Sequence, residues 1–460
     1  MTPDELLKLG YALARNIQNQ LSHILSKDFP TEAPRKLGKI FQGIVVKVIS
    51  VLETNSDERV LKFACHSLKI ISGHLHYLEG STSNRIPTSM IAPVENLIHQ
   101  VEPKALFILR AQRSYNYSVF DIAGHYRKML GPLLGDTLEE VMQGVTTFYV
   151  IGIPTVEYPN VLLHAIIAHE LGHRVADRYL EQEDRENVVA YVNQLIGPDL
   201  KWCGSEYENL PPLFELSARQ RVFQIIYQAR YRALEELISD AVAFYLLGIS
   251  ALFALEDIAS TSVLDALPDE SNQFYPPWRY RIRQLLAWLD KEELVTLIVG
   301  IDGAAPIPDI RKAVLKRIEH LKDLARDDSD LAIINENGFI ERAYRDVPSV
   351  LAKMPLFFES KLSGQQYSRA TLETEIGQLL ERLSVGIPPD EVKTASSLNP
   401  PDFRSAIAAG WFYRTARISL PFDQGIKWHL DHDERINRLV LKAIETIELL
   451  KDYSAWSQTK

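Results

Sequence analysis

The chain has 460 residues, 46% apolar and 24% charged, and carries a formal net charge of -10. This length exceeds what one hydrophobic core usually supports, so more than one domain is expected, and the acidic balance argues against a phosphate-collecting surface and hence against nucleic acid as a partner. Only two cysteines occur, Cys65 and Cys203, outside any CxxC pattern, which argues against a disulfide framework or a thiolate metal site and suits a reducing cytoplasm.

The first residues, Met1-Thr2-Pro3-Asp4-Glu5, lack the cationic start of a secretory signal, and no apolar run approaches the roughly 20 residues that span a bilayer. The expectation is a cytoplasmic protein with no membrane association. Residues 1–102 read as a helical region, with apolar residues at helical spacing from Leu6 to Ala12 and from Ile40 to Leu52. Polar turns at Asp28–Thr31 and Gly80–Asn84 divide it. After Pro103 short strands are expected at 105–109 and 117–121, a helix at 138–142, and a third strand at Thr147–Ile153 that ends on Pro154. A helix then opens with Asn160 as its N-cap, and a polar, irregular stretch over 181–212 leads to a long helix at about 218–247, closed by Gly248. Helices punctuated by Pro and Gly continue to the end. The reading is an α+β, predominantly helical protein: an N-terminal helical region (1–102), a core with a small sheet (103–290) and a C-terminal helical region (291–460).

His169-Glu170-Leu171-Gly172-His173 carries the chemistry. Four residues apart on a helix, His169 and His173 project their imidazoles from one face, as two nitrogen ligands of a tetrahedral Zn²⁺ require. Glu170 is rotated away from the ligand direction, where a general base can reach water beside the metal. Gly172 leaves room for a neighbouring strand. A third ligand ten positions after the first is ruled out, because position 179 is Tyr and position 176 is Ala, and Asp177 has the wrong offset. The long second helix offers Glu236 and Asp240, two acids four apart that would repel unless a cation or imidazole lies between them. Glu236 is therefore read as the third ligand and Asp240 as the acceptor of a ligand histidine's N–H; Glu235 fits less well, because Ser239 stands four beyond it.

Together these segments resemble a gluzincin zinc metallopeptidase, and more narrowly the peptidase family that contains the CAAX prenyl proteases and the heat-shock protease HtpX. That family carries HELGH, then E-x-x-A-D, then His-Pro-Pro ending in Arg-Ile. The counterparts here are His169–His173, Glu236–Asp240 with Ser239 for the Ala, and Tyr275-Pro276-Pro277-Trp278-Arg279-Tyr280-Arg281-Ile282, with Tyr275 in place of the histidine. The resemblance covers roughly residues 145 to 290 and lacks the family's membrane-spanning helices. It implies a zincin-like core, a protein or peptide substrate, and oxyanion stabilisation by Tyr275 and Arg281. It also implies that the strand at 147–153 is the sheet edge to which a substrate pairs.

The expected activity is hydrolysis of peptide bonds by zinc-activated water with Glu170 as base. Two further readings stand beside it: latency, with the helical flanks holding activity off until a regulatory protein partner binds, and a zinc-containing scaffold or sensor without proteolysis. Other polar groups are read as structural: His164 as a packed helix residue, His74/His76 and His429/His432 as surface groups, Cys65 as a small buried hydrophobe, and Trp411-Phe412-Tyr413 as the core of a C-terminal helix.

Overall fold

The computed structural model describes residues 1–86, 90–157, 160–183, 185–198, 200–203, 211–260, 262–393, 397–418 and 430–458. The chain is predominantly helical, with small sheets. It divides into two compact units, Met1–Pro159 and Asn160–Lys460. The three-stranded sheet therefore groups with the N-terminal helices and not with the HExxH segment, as a single region over 103–290 would have it. The physical reason is a shared core: apolar faces of the first helices and of the strands bury one another.

Unit 1 begins with four helices, α1 (Pro3–Leu25), α2 (Ala33–Thr54), α3 (Glu58–Gly80) and α4 (Ile91–Val101). In α1 Thr2 and Glu5 form a capping box, satisfying two backbone donors that a helix start leaves open. Its buried stripe runs Leu6, Gly10, Ala14, Ile17, Leu21, Ile24, the spacing of one helix face. Phe41, Ile44 and Val48 of α2 and Leu68, Ile71 and Leu78 of α3 join that stripe in one core with Ile108, Phe148 and Val150 of the sheet. Cys65 is buried there, its thiol 3.3 Å from the Leu6 carbonyl.

The strands are β1 (Leu106–Gln112), β2 (Ser118–Asp121) and β3 (Phe148–Pro154); α5 (Ile122–Leu134) and α6 (Asp136–Met142) lie between β2 and β3. α5 is a helix that the sequence reading did not anticipate. The strand order is β1-β3-β2, with β3 parallel to β1 and antiparallel to β2. This overturns the expected edge strand. β3 is central, every residue of it is buried, and its backbone is paired on both sides, so a substrate has no free edge there to extend. A strand covered on both faces reads as a continuous apolar run, which is the character of Phe148–Ile153.

Unit 2 opens with a 3₁₀ turn, Val161–His164, that leads into α7 (Ala165–Gln182). The expected Asn160 cap is not made by its side chain; the Asn160 carbonyl instead closes the turn by accepting from Leu163. Part of the stretch read as irregular is helical, α8 (Arg185–Ile196). Then come α9 (Pro212–Leu247), α10 (Ile249–Ala259) and α11 (Trp278–Lys291). Gly248, at φ 57°, ends α9 in a backbone conformation that glycine adopts at no steric cost.

Further helices run to the C-terminal end, among them Phe403–Ala416, in which Trp411, Phe412 and Tyr413 are fully buried. Trp411 donates to the Leu162 carbonyl, and Asn437 accepts from the Leu162 backbone, so the C-terminal helices pin the turn that introduces α7. His164, buried, belongs to that packed turn. Among the described residues no helix is long and apolar enough to cross a membrane.

Candidate metal centre

α7 and α9 cross at Gly172. A Cβ at this position would stand 2.6 Å from Ser239 Cα and 2.8 Å from the Ser239 carbonyl oxygen, closer than packed atoms approach. The partner that Gly172 admits is thus the backbone of a helix and not a strand. Ser239 turns its hydroxyl inward along its own helix, donating to the Glu235 carbonyl at 2.7 Å. With the two helix backbones in contact, His169 and His173 on α7 and Glu235, Glu236 and Asp240 on α9 share one small volume.

Both histidines present Nε2 to the same carboxylate. His169 Nε2 lies 3.5 Å from Glu236 Oε2, and His173 Nε2 lies 3.8 Å from Glu236 Oε1. Ligand atoms on one tetrahedral zinc stand about 3.3–3.5 Å apart, given bonds of about 2.1 Å, so these separations are close to those of a ligand set. Glu236 Oε1 is buried and makes no hydrogen bond, its partner being the Arg232 guanidinium at 3.2 Å. Two overlapping groups have the compactness of metal sites: His169, Glu170 and His173, and His173, Glu235 and Glu236. They could hold a metal ion. The expected ligands His169, His173 and Glu236 are all present but are distributed over the two groups, with His173 in both.

Each histidine also has an acid behind it. His169 Nδ1 is 2.8 Å from Asp240 Oδ1, the orienting contact expected for Asp240, and it is oblique, so that no straight N–H···O bond forms. His173 Nδ1 is 3.4 Å from Glu235 Oε1. Glu235, passed over in the sequence, thus faces His173 as Asp240 faces His169. Arg232, which the sequence reading also missed, donates to Glu235 at 2.6 Å and stands 3.2 Å from Glu236 Oε1. The available signal was the Arg232–Glu235–Glu236 spacing, a cation one turn before two acids on a helix that enters the core.

Arg281 takes a different place from the one expected. It is 3% exposed; Nε and Nη2 hold the two Asp240 oxygens at 2.8 and 2.7 Å, and Nη1 lies 3.2 Å from Glu236 Oε2. Every guanidinium nitrogen already faces a carboxylate, so Arg281 braces the acids of the cluster and is not poised as an oxyanion donor. The reason is depth: a buried guanidinium is retained only where carboxylates neutralise it. Tyr275 is 38% exposed, with the Arg232 guanidinium 3.9 Å from its ring centre. Burial and the nearby Glu236 push its phenol up to about 12, so it keeps its proton at neutral pH and can donate a hydrogen bond.

The electrostatics are those of a site short of positive charge. Glu170, Glu235, Glu236 and Asp240 are met by Arg232 and Arg281, an excess of two negative charges before the histidines are counted, which a proton on His169 offsets in part and a divalent ion would offset in its place. Burial opposes ionisation of Glu236, yet Arg281 and the histidines hold it well below the usual carboxylate range. Burial alone would lower His169, but Asp240 and Glu236 outweigh it and hold the ring up to about 9. Glu170 is partly exposed, and burial raises its pKa against the opposing pull of both histidines, which suits a group that must accept a proton and release it again.

Elsewhere the polar groups behave as structural. Asp177 accepts from Tyr231 at 3.2 Å and belongs to neither compact group. His74 sits within α3 among Tyr77, Phe120, His125 and Tyr126, and forms no metal group with His76 among the described residues. His432 is buried, while His429 lies outside the described residues. No protein-family model matches the chain, and no curated protein or solved structure matches it either.

Proposed function

We propose that the chain is a zinc-dependent metalloendopeptidase of gluzincin type, related in mechanism to the family of the CAAX prenyl proteases and HtpX, with His169, His173 and Glu236 holding Zn²⁺. The observation that carries the reading is the convergence of both imidazole Nε2 atoms on one buried carboxylate, with Glu170 beside them. When bound, zinc supplies Lewis-acid polarisation of the scissile carbonyl and lowers the pKa of water. Glu170 accepts the proton of the attacking water and passes it to the leaving nitrogen, and with the water's second proton following, one peptide bond and one water give a carboxylate and an ammonium group. Tyr275 donates to the carbonyl oxygen as negative charge gathers there. Asp240 and Glu235 set the rotation of the ligand rings, and Arg281 and Arg232 keep the acids in register.

The experiment is Glu170→Gln. Zinc content, measured by mass spectrometry on the purified chain, stays at the wild-type level, while new protein N-termini in cells expressing the wild type vanish. Loss of the base costs about 10²–10⁴-fold or more in rate. Unchanged cleavage by Glu170→Gln removes the mechanism, and zinc retained by His169→Ala removes the ligand assignment.

Arg232 and Arg281 each stand 3.2 Å from Glu236 and compete with a metal for it, which weighs against Glu236 as a ligand. The second reading is a zinc-containing scaffold without hydrolysis. Zinc in the wild type with no N-termini dependent on Glu170 would select it. Latency through a regulatory partner predicts that activity on a protein substrate rises when residues 1–159 are removed.

A further inference from the structure

α9 carries an aromatic stripe that runs into the metal-ligand group. Phe223, Tyr227, Tyr231 and Glu235 are spaced by four, and the rings of the first three stack, with centroids 5.9 and 6.4 Å apart and planes within 12° and 22°. Tyr227 is 37% exposed. Phe223 and Tyr231 are half-buried, and aromatic rings aligned in series and partly open to solvent mark a place where apolar groups are received.

Beside this stripe lies a cleft of about 620 Å³, lined by Tyr227, Gln228, Tyr231, Arg232, Gln273 and Phe274, with Glu270 the acid among its lining residues. Arg232 joins the two places: it lines the cleft, contacts Glu235 and Glu236, and stacks on Tyr275. The opposite wall is strained. Gln273 and Phe274 adopt φ of 57° and 60°, left-handed values that are rare for any residue but glycine and a genuine outlier for a bulky one. Each such residue costs about 1–3 kcal/mol and persists only where its surroundings hold it. Here the hold is explicit. Asp269 caps the turn through the Ser271 N–H, the Phe274 N–H donates to the Asp269 carbonyl, and Asn272 donates to the Leu267 carbonyl. This conformation sets Phe274 in the cleft wall and brings the next residue, Tyr275, under Arg232.

The distances suit a polypeptide. Tyr227 stands two helical turns before Glu235, about 12 Å along the axis, which an extended chain covers in about four residues. We infer that this cleft is a substrate subsite that receives a large apolar or aromatic side chain of an extended peptide, about two to four residues from the bond to be cleaved. Selectivity then resides on the α9 stripe and the 269–275 turn, away from the ligands themselves. The inference rests on the peptidase reading, and its test separates the two.

The probe is a set of fluorescein-labelled nonapeptides of Gly, Ser and Ala in which one Phe is walked along the sequence, each paired with its Ala counterpart. Binding to the full-length, zinc-loaded Glu170→Gln chain is followed by fluorescence anisotropy. Phe peptides are expected to bind about tenfold tighter than their Ala partners at one or two positions, the value of burying one aromatic ring. Tyr227→Ala, a half-exposed position, removes that difference, whereas Tyr231→Phe, which keeps the ring and loses only the hydroxyl bonded to Asp177, retains it. Equal binding of Phe and Ala peptides, or a preference that survives Tyr227→Ala, overturns the cleft assignment. Cleavage of the same peptides by the chain with Glu170 intact reports on the other claim. A preference without cleavage overturns the peptidase reading, and cleavage without a preference overturns the subsite.

Discussion

The sheet of unit 1 and the α7–α9 crossing of unit 2 are both deeply buried, yet they are built on opposite terms. Around β3 the interior is Phe148, Val150, Ile151, Tyr126 and Phe41, with hydrogen bonding left largely to the backbone. At the crossing His169, Glu236, Asp240 and Arg281 are each at most 5% exposed and meet as ions and imidazoles. Apolar burial stabilises wherever shapes fit, at about 25 cal/mol per Å². A buried ion pair barely repays its desolvation and is weak evidence of stability. The contrast teaches where to look for function: the crossing keeps charges that folding alone would not select.

The largest effect expected from this contrast is at Asp240. Asp240→Ala takes from Arg281 its two-bonded partner and from His169 the acid behind its ring, leaving Glu236 to both, and should lower the stability of the chain by about 3 kcal/mol in urea denaturation. Replacing the pair together, Asp240→Leu with Arg281→Met, should recover part of this loss while weakening zinc binding by about 10–100-fold or more. A double variant as unstable as Asp240→Ala alone would mean that the ions hold the fold, and the contrast would break. Next comes the crossing's geometry. Gly172→Ala should cost about 1–3 kcal/mol, at the upper end, because the obstructing atoms are backbone and cannot turn aside. On the proposed reading metal affinity should fall with it, since the same contact sets the spacing of the helices that carry His169, His173 and Glu236; an unchanged affinity would show that the crossing distance is not what matters.

On the apolar side, Phe148→Leu should cost only about 1–1.5 kcal/mol, as neighbours close around a similar shape. Circular dichroism during urea unfolding checks it, and a loss as large as that of Asp240→Ala would erase the difference between the regions. The smallest effect concerns His74, a half-buried imidazole in the apolar unit's aromatic cluster, beside a second, His125. Burial, with His125 and His76 near it, lowers His74 to about 4, and its Nδ1 is 2.8 Å from the Tyr126 hydroxyl. The unfolded chain therefore binds a proton that the folded chain refuses between about pH 6.5 and about 4. Stability should fall as pH drops through that window, and His74→Gln should flatten the fall; a parallel decline in both proteins would assign the pH dependence elsewhere.

Local signals in the sequence were enough for the helix that carries His169 and His173 and for much of the secondary structure. The apolar periodicities of α1 and α2, the three strands within a few residues, the Gly248 terminus of α9 and the projection of His169 and His173 from one face of α7 all follow from spacing between near neighbours. The Glu236–Asp240 spacing was legible for the same reason, since two acids one turn apart pose a local conflict that calls for a partner. Which atoms meet across elements was not legible. Only the tertiary structure decided that β3 is central, because strand order depends on pairings such as Leu106 with Phe148 and Ser118 with Gly152, which link residues far apart in the chain. It alone decided that Gly172 meets the backbone of Ser239, that Arg281 braces Asp240 and Glu236, and that Glu235 stands behind His173. HELGH stated in advance what the centre holds; how those groups are braced is set by the crossing of two helices, a contact energy that no stretch of either helix contains.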